Sequence, residues 1–105
     1  MKQFRVVANE HAKADLKKYA EYIRLELKNP QAAKSLIEDF RETKQTLERI
    51  ADSLQEPFGE ELRKRKLKRL NFKKHNYFML YKVDDDRAII TNVFHASENY
   101  EEKLK

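Results

Sequence analysis

Residues 63–75, RKRKLKRLNFKKH, hold eight lysines and arginines and no acid. The whole chain of 105 residues has a formal net charge of only +5, so the remainder is net acidic. A positive field this concentrated is the electrostatic footprint of a protein that meets a polyanion or an acidic protein surface. Within the run, Arg63, Arg65, Lys68, Lys73, Lys74 and His75 are candidate phosphate contacts. His95 lies further on. An unperturbed imidazole titrates at ~6.5, which makes His95, and His75 likewise, candidates for general acid or base work. The three histidines, His11, His75 and His95, do not have the spacing of metal ligands, so no metal site is expected. Asp84, Asp85 and Asp86 crowd one short stretch and read as a turn. With no cysteine, thiolate metal sites, disulfides and a cysteine nucleophile are excluded, and the chain suits a reducing cytosol. A single glycine leaves no Gly-rich phosphate loop.

These groups need a scaffold, and the apolar pattern supplies one. Charged residues make up 39% and hydrophobic residues 40%, a balance that folds because the apolar positions are periodic. The length fits one domain. No apolar run is long enough to cross a bilayer, and the opening does not have the form of a signal peptide. Residues 3–8 read as a strand. Asn9 then caps a helix over residues 10–27, with Leu16, Tyr19, Ala20, Ile23 and Leu27 along one face. Asn29-Pro30 ends it and starts a second helix over residues 30–53, because proline disfavours the helical conformation before it and suits the first helical turn. Ala33, Leu36, Ile37, Phe40, Leu47, Ile50 and Leu54 form the apolar stripe of that helix, and the pair makes an antiparallel hairpin. Glu56-Pro57-Phe58-Gly59 is a turn into a strand-rich half. Strands at 67–72, Tyr77–Asp84 and Arg87–His95, joined by short loops, make an antiparallel meander. The tail from Glu98 is amphipathic and short enough for a helical turn or two.

The predicted fold is α+β: an N-terminal strand, a helical hairpin, then a three-strand meander, with the first strand joining the sheet and the helices on one face. Alternation places Leu70 and Phe72 on one side of their strand and Leu67, Arg69 and Asn71 on the other. If Leu70 faces the helices, Arg69 faces away. Tyr77, Met79, Tyr81 and Val83 oppose Phe78, Leu80 and Lys82, and both sides are apolar. In the last strand, strict alternation groups Ile89, Thr91, Val93 and His95 against Ala88, Ile90, Asn92 and Phe94. A basic sheet face with interleaved aromatics suits RNA. The same charges also keep a small sheet soluble and its edges unpaired.

The hairpin sequence YAEYIRLELKNPQAAKSLIEDF, then EPFG, LKRLNFKKHNYFMLYKV, the acidic turn and AIITNVFHASENYEEKL, together resemble the RelE/ParE superfamily of bacterial type II toxins over nearly the full chain. The pieces that carry the resemblance are Asn29-Pro30-Gln31-Ala32-Ala33, Pro57 and Gly59, the Tyr77-x-x-x-Tyr81 pair, and Val93-Phe94-His95 ahead of Tyr100. The resemblance implies a growth-inhibiting toxin neutralised by an acidic cognate antitoxin, which wraps it with a helix and an extended segment. It also implies no cofactor and no membrane. RelE-like members cut mRNA in the ribosomal A site without metal, using basic residues on adjacent strands and a proton acceptor and donor. ParE-like members inhibit DNA gyrase. Arg69 matches a basic strand position of the RelE pattern, and Tyr100 falls near the C-terminal tyrosine. Asn71 and Phe78 stand where further basic residues are expected.

The expectation from sequence is therefore a cytoplasmic toxin acting as a ribosome-associated mRNA endoribonuclease, with His95, Tyr100 and Arg69 as its catalytic groups. The alternatives are a gyrase inhibitor with no chemistry of its own and a decayed toxin that only binds its antitoxin.

Overall fold

The computed structural model describes residues 3–51, 64–99 and 102–103. Pro57, Gly59, Arg63 and Tyr100 lie outside the described residues, as do the expected helical turn at 52–53 and residues 101 and 104–105 of the tail. Strand β1 spans Arg5–Ala8, helix α1 Glu10–Glu21, helix α2 Pro30–Ile50, and strands β2, β3 and β4 span Lys68–Asn71, Tyr77–Asp84 and Arg87–His95. The sheet order is β1-β4-β3-β2. The meander β2-β3-β4 is antiparallel and β1 joins β4 in parallel. This is the expected α+β architecture.

Both asparagine caps form. The Asn9 side chain accepts from the Ala12 N–H at 2.9 Å and the Asn29 side chain from the Ala32 N–H at 3.1 Å, each filling one of the donors that a helix start leaves open. Between the helices the chain does not run as a plain α-helix to Leu27. Tyr22–Glu26 form a π-helical turn, and Lys28 takes a positive φ of 53° before Asn29. The wider turn leaves Tyr22, Leu25 and Leu27 more than half exposed. π-turns are often associated with functional sites.

The main core lies between the helices and one face of the sheet. Leu36, Leu47, Met79, Tyr81, Ile90 and Val93 have no exposed surface there. Leu70 packs on this core and Phe72 belongs to it, whereas Leu67, Phe78, Leu80 and Phe94 make a second cluster on the far face. Arg69 therefore does point away from the helices.

Strict alternation in β4 is corrected by the structure. Leu80 pairs with Asn92 but Tyr81 pairs with Ile90, so Thr91 is the extra residue of a β-bulge. Ile90 and Val93 thus both face the core, and Ala88 joins them. The polar groups that the bulge releases are taken up by α1: the Thr91 carbonyl lies 3.1 Å from His11 Nδ1, and the Val93 N–H donates to Asp15 Oδ2 at 3.0 Å. His11 is exposed, as a residue at a helix start is expected to be, but it also bonds the sheet.

Candidate functional site

The described residues of the basic run, 64–75, do not form one surface. Arg65 lines a small cleft on the far face with Leu67, Lys82, Thr91 and Asn92. On the same face the Arg69 guanidinium lies 3.8 Å from the centre of the Phe78 ring, and its Nε donates to Asn71 Oδ1 at 2.9 Å. The two residues that depart from the RelE pattern, Asn71 and Phe78, are thus the ones that hold Arg69 in place. A cation over an aromatic face is attracted by the ring quadrupole. Lys68 sits on the opposite side of β2, in register with Tyr81.

Lys73, Lys74 and His75 occupy the β2–β3 connection, which is pinned by a residue that the sequence reading missed. Asp39 of α2 is only 1% exposed. Its carboxylate accepts from the backbone N–H groups of Lys73, Lys74 and His75 at 3.2, 3.0 and 2.8 Å. It also lies 2.8 Å from His75 Nδ1. Burial alone would raise this carboxyl, but the hydrogen bonds from the His75 ring and the three backbone groups outweigh it, leaving Asp39 below the ordinary carboxylate range. An ionised carboxylate only accepts, so His75 carries a hydrogen on Nδ1 and, when neutral, offers a lone pair at Nε2. The signal available in the sequence was an acid inside an apolar stripe: Asp39 falls with Leu36, Phe40, Thr43 and Leu47 on one helix face.

His95 lies on the helix side of the sheet. Its ring meets Tyr77 edge to face at 4.8 Å, and Tyr77 meets Tyr19 of α1 in the same way at 5.1 Å. Nδ1 accepts from the Ser97 N–H at 3.1 Å and lies 2.6 Å from Ser97 Oγ. The neutral ring therefore carries its hydrogen on Nε2, the reverse of His75. Beside it, Glu98 accepts from the Tyr19 hydroxyl, from the His95 N–H at 3.2 Å, and pairs with Lys103. Burial opposes ionisation of Glu98, yet the hydrogen bonds of Lys103, Tyr19 and His95, with the Lys103 charge, bring its pKa down to about 2. Burial, then the bond to Glu98 and its charge, pushes the Tyr19 phenol well above its ordinary value. Burial and the Glu98 charge raise Tyr77 as well.

Tyr77 and Phe78 are consecutive strand residues, so the ring under Arg69 and the ring against His95 are on opposite faces. The sheet separates Arg69 from His95, and they do not converge on one reacting atom. Among the described residues no group of three His, Asp or Glu could hold a metal ion.

Two grooves flank α1. One, of about 570 Å³, runs between α1 and α2 over Leu16, Ala20, Ala33, Ile37 and Phe40. Its rim carries Lys13, Lys17, Arg24, Lys34 and Arg41 against Glu21 and Glu38. These cations were not singled out in the sequence because they are dispersed among acids and meet only when the hairpin closes. The other groove, of about 540 Å³, lies between α1 and the end of the sheet and is lined by Tyr19, Tyr22, Ile23, Leu27, Tyr77 and His95, with Lys18 and Glu98 at its edge.

The fold and sequence both have relatives. A chain of the chromosomal ParDE toxin–antitoxin system from P. aeruginosa superposes with a TM-score of 0.72 at 18% identity, over 90% of this chain and 98% of that one. A chain of the RelBE2 toxin–antitoxin complex from Mycobacterium tuberculosis gives 0.56 at 21% identity, over 89% and 98%. At these identities the likeness shows a shared fold. No curated protein sequence matches the chain significantly. The family model described as the ParE toxin of the type II toxin–antitoxin system parDE matches residues 6–100, nearly the whole sequence, and this chain therefore belongs to the ParE toxin family.

Proposed function

We propose that this toxin of a type II toxin–antitoxin system arrests growth by binding and inhibiting a protein target, DNA gyrase, and not by cutting RNA. The observation that carries the reading is the placement of Arg69 and His95 on opposite faces of the sheet. Cleavage by the RelE route needs phosphate-holding cations and proton-transferring groups around one phosphodiester. Arg69 is committed to Phe78 and Asn71, and neutral His95 presents a hydrogen at Nε2 where a general base needs a lone pair. Membership of the ParE family supports the same side of the superfamily.

The partner that neutralises the toxin is an acidic antitoxin, and the groove between α1 and α2 is its seat. The floor is apolar and cations outnumber acids on the rim, so an amphipathic segment with flanking carboxylates buries its apolar side and meets opposite charge. Affinity should weaken as salt rises, because exposed pairs are screened.

Two assays on the wild-type protein test the reading. Purified toxin should inhibit gyrase supercoiling of relaxed plasmid, with reversal by the antitoxin. 5′-end mapping of an mRNA incubated with ribosomes and toxin should reveal no new ends. New ends at A-site codons, with supercoiling untouched, would return the assignment to an mRNA endoribonuclease. Growth without arrest on induction would make the chain a decayed toxin.

A further inference from the structure

The groove between α1 and the end of the sheet has no role in the account so far. Its floor is a chain of three edge-to-face rings, Tyr19, Tyr77 and His95, backed by Ile23. The π-helical turn extends this apolar surface outward through Tyr22, Leu25 and Leu27, at 55%, 57% and 58% exposure. Exposed apolar side chains of this size, gathered at one end of the molecule beside a groove, mark an interaction surface. The surface is longer than the groove, which suits an extended protein segment better than a small ligand.

The polar groups on this surface select the occupant. The acid at its edge, Glu98, is already engaged by Tyr19, by the His95 N–H and by Lys103. Among the described residues that line the groove, what can meet a partner is the Lys18 ammonium, which lies 5.1 Å from the centre of the Tyr19 ring, the His95 Nε2 hydrogen and the hydroxyls of Tyr22 and Tyr77. Glu98 is the one acid among the described residues lining the groove, the exposed Glu26 lying outside that lining, so a cationic partner finds no open carboxylate in the groove itself. A second copy of the chain would bring the same ammonium and the same Nε2–H groups against each other. A segment with an apolar or aromatic anchor beside a carboxylate gains from both parts, since the anchor fills the ring-lined floor and the carboxylate meets Lys18 and His95.

We infer that this groove is the toxin's target-contact surface, taking an acidic, apolar-anchored segment of the protein that the toxin inhibits. The inference rests on the preceding reading in taking the target to be a protein. Helix α1 thus separates two docking grooves, the hairpin groove for the antitoxin and the ring-lined groove for the target.

The test uses the double variant Leu25→Glu/Leu27→Glu, with Lys18→Glu as a separate charge reversal. All three positions are exposed, so circular dichroism and thermal unfolding should match wild type. Val83→Glu, an exposed apolar site at the opposite end of β3, controls for adding an acid to apolar surface. Growth arrest on induction is scored beside antitoxin affinity measured by calorimetry. The double variant should lose growth arrest, and in the supercoiling assay its half-inhibitory concentration should rise by about tenfold or more. Its antitoxin affinity should stay within about twofold, and Val83→Glu should behave as wild type. Lys18→Glu should weaken inhibition in the same direction, by several-fold. Full growth arrest by the double variant, or an equal loss of antitoxin affinity, would overturn the inference. A wild-type protein that arrests growth without touching gyrase would sink the gyrase reading alone, because the growth series still decides the groove.

Discussion

The surroundings of His75 and His95 each include a carboxylate but are built on different plans. At the β2–β3 connection, Asp39 is buried and three of its four hydrogen bonds come from backbone. At the end of β4, Glu98 is part-exposed and two of its partners are the side chains of Tyr19 and Lys103. The first arrangement fixes a loop, because backbone donors can reach the carboxylate only in one conformation. The second leaves side chains that can be re-partnered, which suits a surface that another molecule must enter. The histidines follow the same division: Asp39 directs the His75 lone pair outward, and Ser97 directs the His95 hydrogen outward. Residue type alone does not say which histidine donates and which accepts; the neighbour of Nδ1 does.

The largest effect expected from breaking this contrast is at Asp39. Asp39→Asn sets an amide N–H₂ against donors and removes the charge that four hydrogen bonds serve. The loss should be roughly 3 kcal/mol, as for other charged hydrogen-bonded groups in the interior. Urea denaturation would read this directly. In the folded variant, amide exchange at residues 73–75 should accelerate more than exchange in α1. A loss below about 1 kcal/mol would mean that the loop is held by something else.

Glu98→Gln should cost less, about 1–2 kcal/mol at neutral pH, because the site is partly screened by water. Its pH dependence sharpens the comparison. The folded Glu98 pKa is depressed from 4.5 to about 2, so its contribution is complete above the unfolded value and is lost as pH falls through the folded one. The stability gap between wild type and Glu98→Gln should therefore close between about pH 4.5 and about pH 2. Asp39 is depressed as well, so the same sign holds there: its contribution is present above the unfolded carboxyl pKa and lost on acidification. A gap that widens toward acid would contradict the assigned hydrogen bonds.

Why one neighbourhood was partly legible in the sequence, and its meaning was not, follows from range. Asn9, Asn29-Pro30 and the strand alternation act over a few residues, and they marked the elements and both caps and tied the direction of Arg69 to that of Leu70, which the core then decides. Thr91 carries no local mark of a bulge; its extra position is made tolerable by His11 and Asp15, more than seventy residues away in sequence. His95 was recognisable as a titratable group, but its tautomer depends on Ser97 and its surroundings on Tyr19. Asp39 reaches residues 73–75 across the hairpin, so its role could not be read from its own helix. The basic run was legible as composition, but a turn at Lys66 and the opposed faces of Lys68 and Arg69 divide it.

The smallest predicted effect is also the most specific. Nitrogen chemical shifts of the two rings, measured at a pH where both are neutral, should place the hydrogen of His75 on Nδ1 and that of His95 on Nε2. Ser97→Ala should leave the His95 assignment in place, since the Ser97 backbone N–H still donates to Nδ1, and should change stability by no more than about 0.5 kcal/mol. Asp39→Asn should instead let His75 populate both tautomers, because the charged acceptor that selects Nδ1–H is gone. If both rings show the same tautomer in the wild-type protein, the contrast between a fixed clasp and an open groove loses its chemical basis. If they differ as assigned, the hydrogen available to a partner in the ring-lined groove belongs to His95, and the lone pair at the hairpin tip belongs to His75.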